Sequence, residues 1–111
     1  MNVEKEIFGV LFMQLNEFAQ QEKCPTSLFP ALQALWYAKK GDWHKAHEIV
    51  QEADDIDSAW VHAYLHRQEG DLSNARYWYR HSRQREFTAS LSQEWEYITQ
   101  ELLKKFAHIN A

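Results

Sequence analysis

The chain repeats itself. Gly41-Asp42-Trp43-x-x-Ala46 returns 29 residues later as Gly70-Asp71-Leu72-x-x-Ala75, and the same offset carries Ala34 onto Ala63, Tyr37 onto His66 and Val50 onto Tyr79. Self-similarity at such a period marks stacked supersecondary units. Gly accepts the left-handed conformation just past a helix end, and the Asp after it caps the next helix. Each copy therefore reads as helix, corner, helix. The Ala four positions after the Asp belongs where two antiparallel axes approach closely, because a larger side chain would push them apart. Such a hairpin cannot cover its own apolar stripe, so each copy needs a neighbour.

The flanks are helical too. Residues 3–22 lack Pro and place Val3, Ile7, Val10, Leu11 and Phe18 on one stripe, widened by Phe8, Phe12 and Leu15. After a break at 23–27, Ser27 is expected to cap a helix that carries Pro30 in its first turn and runs over 28–40. The next helix covers 43–53. The acidic turn 54–57 leads to a cap at Asp57 or Ser58, a helix to Glu69, and a further one over 72–83. Ser90 and Gln93 form a capping box ahead of a last helix, 91–108, with Leu91, Trp95, Ile98, Leu102 and Phe106 on one side. Nothing alternates with period two for long enough to build a sheet. The expectation is a single all-α domain, with hairpins over 28–53 and 57–83 and capping helices over 3–22 and 91–108.

Composition agrees and excludes several classes. A chain of 111 residues supports one domain, burying roughly 65% of its unfolded surface. An apolar share of 45% argues against disorder, and three Gly with two Pro argue against a turn-rich β fold. The net charge of -4 excludes a generic polyanion binder. The single cysteine, Cys24, makes no internal disulfide and no thiolate metal site. The apolar run 7–13 is far shorter than the ~20 residues that span a bilayer, so a cytoplasmic protein without membrane contact is expected.

The Gly41, Asp42, Trp43, Ala46, Val50 set and its partner set, Gly70, Asp71, Leu72, Ala75, Tyr79, resemble the second half of the tetratricopeptide repeat. The resemblance covers 31–83. It departs in period, 29 residues here against about 34 in the family, and in lacking the Pro that closes each family repeat. It implies a right-handed stack of hairpins whose first helices line a concave groove for a partner peptide. Residues 60–80 also resemble the signature of a group of small bacterial proteins, His-Ala-Tyr-Leu-His-Arg-x-Glu-Gly-Asp-x-x-Asn-Ala-x-Tyr-Trp-Tyr-Arg, which implies a bacterial source and carries no activity over.

Trp60, Tyr64 and Arg67 are spaced i, i+4, i+7. They read either as groove anchors, two broad aromatics and an Arg that forks a carboxylate, or as core between hairpins. Asn74 is placed to grip a peptide backbone or to cap. Residues 76–85 hold four Arg and no acid, interleaved with Tyr77 and Trp78, while 48–57 hold five acids and no base. The simplest account pairs the two runs, within the chain or between copies. Arg76, Trp78 and Arg80 otherwise suit an acidic protein partner, with nucleic acid disfavoured. His62 and His66 stand four apart, the spacing at which two imidazoles reach one ion, with His47 or His44 as a third ligand. The metalloprotease Glu is absent, since Ala63 comes after His62, and a structural polar cluster is the preferred reading. No phosphate loop, nucleophile elbow or Cys–His pairing is present. The function expected is therefore a non-enzymatic interaction module that docks an acidic peptide or protein and needs no cofactor. A metal- or ligand-binding protein and a self-associating homodimer are the alternatives.

Overall fold

The computed structural model describes residues 14–110. Among them it contains six helices and no strand: α1 (Leu15–Gln20), α2 (Pro30–Lys39), α3 (Trp43–Glu52), α4 (Ile56–Glu69), α5 (Leu72–Ser82) and α6 (Leu91–Asn110). The all-α expectation holds. Most of the expected 3–22 helix lies outside the described residues; its last part is α1, whose Phe18 is fully buried.

The two corners are the same structure built twice. Gly41 and Gly70 have φ of 87° and 89°. At the first corner Asp42 N–H reaches Tyr37 O at 2.9 Å and Gly41 N–H reaches Ala38 O at 3.1 Å; at the second, Asp71 N–H reaches His66 O and Gly70 N–H reaches Arg67 O at the same two distances. This is the bond pattern that ends a helix through a left-handed residue. A Cβ on either glycine would meet nothing within 4 Å, so backbone torsion rather than crowding requires Gly. The Asp42 carboxylate then accepts from Lys45 N–H at 3.0 Å and the Asp71 carboxylate from Asn74 N–H at 3.3 Å. Ala46 and Ala75 are buried where each hairpin closes.

Two helix starts differ from expectation and a third agrees with it. Ser27 caps nothing: α2 begins at Pro30, whose fixed φ and missing N–H suit the first helical position. Helix α4 begins at Ile56, because Asp55, not Asp57 or Ser58, accepts from Ser58 N–H at 2.9 Å and from its hydroxyl at 2.8 Å. The Ser90–Gln93 box forms as expected, with Gln93 N–H donating to Ser90 Oγ and Ser90 N–H to Gln93 Oε1, both at 3.1 Å.

Packing sets three tiers. First helices α2 and α4 lie in the middle; second helices α3 and α5 pack on one side, and α6 crosses the other. Trp95 of α6 donates Nε1–H to Leu35 O at 2.8 Å, and Phe106 meets Phe29 edge-on. Helix α3 packs against both α2 and α4, whereas α5 packs against α4 and reaches α6 through the Tyr79 hydroxyl. The core therefore runs continuously from Phe18 through α2 and α4 to Leu103. It leaves the outer side of α5 open, where Leu72 and Tyr77 are each about half exposed.

Candidate functional site

The expected peptide groove is filled by the chain itself. Trp60 and Tyr64 are 7% and 4% exposed, with Trp60 edge-on to Tyr97 of α6. Arg67 donates to the carboxylate of the fully buried Glu94 at 2.8 Å and also to Ala89 O. The Tyr79 hydroxyl donates to the other Glu94 oxygen. A buried carboxylate needs this much: a full positive charge and a hydroxyl replace the water that packing removed. Burial, reinforced by the Glu94 charge, pushes the Tyr64 phenol up to about 12, and burial with the Glu94 hydrogen bond raises that of Tyr79. Trp60, Tyr64 and Arg67 thus tie α4 to α6 as core, which corrects their reading as anchors in an open groove. Glu94, central to that tie, carries no sequence signal beyond its place on the apolar side of α6.

The remaining expected partner residues divide. Asn74 is half-buried and its N–H serves the Asp71 cap. Arg76 pairs with Glu86 at 2.9 Å. Arg80 is exposed and, like Arg83 and Arg85, has no ion pair among the described residues. The acidic run does not pair with the basic run in this chain: Glu48 meets Lys45, Asp57 meets Lys105 at 2.7 Å, and Asp55 is spent on its cap. Cys24 is half-buried, and burial raises its thiol above the ordinary range, which disfavours the thiolate.

Trp78 belongs to a different constellation. It stacks on His62 at 4.0 Å between centroids, and Trp43 stacks on His47 at 4.7 Å. Between these indoles three imidazoles converge at the seam of the hairpins, His47 from α3 and His62 and His66 from α4. Each offers a ring nitrogen within 4.8 Å of the others. His62 Nε2 and His47 Nε2 are 3.1 Å apart, while His62 Nδ1 is buried with no partner. His66 Nδ1 faces the Glu69 carboxylate at 2.9 Å. His44 is exposed, meets Trp43 edge-on and does not join, so His47 is the third member. Burial and the neighbouring rings His47 and His66 push His62 down to about 3, and burial followed by His66 lowers His47. His62 is therefore neutral at physiological pH, with a lone pair to offer. Glu69 is the member that the sequence reading does not single out; its i, i+3 spacing from His66 is the available clue.

No protein-family model, curated protein or solved structure matches the chain.

Proposed function

We propose that this chain is a non-enzymatic, tetratricopeptide-like interaction module of a bacterial cytoplasm, its hairpins in a right-handed stack, that receives an acidic peptide segment. The observation that supports this reading is a cleft of about 480 Å³ in which Arg83 and Arg85 stand beside Phe87 and Tyr97, with Glu86 of the same cleft paired to Arg76. Arginine forks carboxylates, and flat aromatic walls offer contact area at low rotamer cost. Arg83 adds a second point. It sits at φ 63°, one residue past the end of α5, where the two hairpin corners use Gly. A side chain there costs about 1 kcal/mol that Gly would spare, so an arginine at this place is a local cost with a use at the cleft. With α6 lying across α2 and α4, docking in this reading moves from the middle of the stack to its rim.

The test is binding of a fluorescent Glu-rich peptide to wild type, Arg83→Gly and Arg80→Glu/Arg85→Glu. The reading expects salt-sensitive binding by wild type, weakened several-fold in Arg83→Gly although that variant melts at the same temperature or higher. Peptide binding equal in all three proteins, or absent from wild type, would remove it. Capture of a second copy through its acidic 48–57 run would appear as concentration-dependent light scattering without peptide.

A further inference from the structure

We propose that His47, His62 and His66 form a binding site for one borderline divalent transition-metal ion, of which zinc is the reference case, at the seam between the two hairpins. Distance is the first support. Two imidazole nitrogens on a tetrahedral zinc, each about 2.0–2.1 Å from it, lie about 3.3 Å from one another. His47 Nε2 and His62 Nε2 are 3.1 Å apart, already within that geometry. The set as a whole falls within 4.8 Å, so the third ring needs to close by about 1.5 Å at most, a side-chain rotation. His47 meets His62 and His66 at near-perpendicular angles of 84° and 76°, while the His62 and His66 rings lie stacked at 23° with centroids 4.9 Å apart.

Chemistry agrees with distance. Imidazole is a common ligand of such ions, and His62 is buried between the other two rings. A metal-bound His commonly gives its other ring N–H to a carboxylate, which fixes the tautomer and raises ligand basicity. Glu69 stands at that place on His66 Nδ1, 2.9 Å away. Trp43 and Trp78 hold the His47 and His62 planes by stacking and restrict their rotation. A protein-only explanation is one N–H···N bond between His47 and His62. Beside that bond, His66 stacks on His62 with centroids 4.9 Å apart, so the third imidazole stands in the same cluster. Three protein ligands leave a fourth position for water or an added ligand, the pattern of sites that do more than hold a fold. Glu69 is a positioning residue here and touches no ion.

The experiment is Co²⁺ titration of the untagged full chain, read by visible absorption, with Zn²⁺ displacement and thermal melting in parallel. One equivalent of Co²⁺ should produce d–d bands that Zn²⁺ abolishes, and Zn²⁺ should raise the melting temperature by several degrees. His47→Gln, at a half-buried position, and His66→Ala should each remove the bands. Glu69→Gln should weaken affinity about 10–100-fold with helicity unchanged. His44→Ala should bind as wild type. Absence of saturable bands overturns the proposal. So does binding that survives His47→Gln in a protein of native helicity, since surface histidines would then be the ligands. Should His66→Ala unfold, the Glu69→Gln and His47→Gln results decide alone.

Discussion

Trp43 and Leu72 hold the same place in the two hairpins, one residue past the Asp cap, yet they live in different surroundings. Trp43 is half-buried, donates Nε1–H to Leu65 O at 2.8 Å and stacks on His47. Leu72 is 51% exposed. The corners behind them match to a tenth of an ångström in their backbone bonds, so local chemistry does not make the difference. The next layer of the stack does. The first hairpin is covered by α4 of the second, whereas no further described helix packs on the outer side of α5. A Gly-Asp corner is self-sufficient; the apolar stripe beside it is core only where a neighbour arrives.

Three sets of substitutions probe this contrast. The largest effect belongs to the tie that α6 makes with the second hairpin. Arg67→Ala leaves the buried Glu94 carboxylate without its cation, and about 3–5 kcal/mol of unfolding free energy should be lost in a urea titration. The double variant Arg67→Met/Glu94→Leu should recover part of it, because removing both charges also removes their desolvation cost while the buried Tyr79 hydroxyl loses its acceptor; a double variant less stable than Arg67→Ala would contradict the charge account. Next, Trp43→Ala should cost about 2–4 kcal/mol, below the value for a fully buried indole, while Leu72→Ala stays within about 0.5 kcal/mol. Equal losses would mean that the hairpins are covered alike. The smallest effect is the cap: Asp42→Ala and Asp71→Ala should each cost about 1 kcal/mol. Those two values should agree closely although the Trp43 and Leu72 values do not.

Legibility divides along the same line. Gly41, Gly70, Asp42, Asp71 and the Ser90–Gln93 box act on residues close by in the chain, and their roles are readable from it. Asp55 escapes a sequence reading because several acids in 54–58 compete for one cap, and the choice depends on where α4 packs. Trp60, Tyr64 and Arg67 have the spacing of a groove and the burial of a core. The deciding contacts are with Tyr97 and Glu94, on a helix whose docking no local pattern encodes. The histidines fall between these cases. The i, i+4 pair is visible in the chain, but the choice of His47 over His44 requires the rotation of α3 against α4. The Trp43 and Trp78 stacking requires coordinates as well.

The proposed metal chemistry lies at the seam of the two hairpins. The most direct test is ring ¹⁵N NMR of the six histidines as Zn²⁺ is added to one equivalent. The prediction is that the His47, His62 and His66 resonances move together and saturate at that point, while His44, His81 and His108 stay in place. Shifts confined to the exposed histidines, or spread over all of them without saturation, would contradict it.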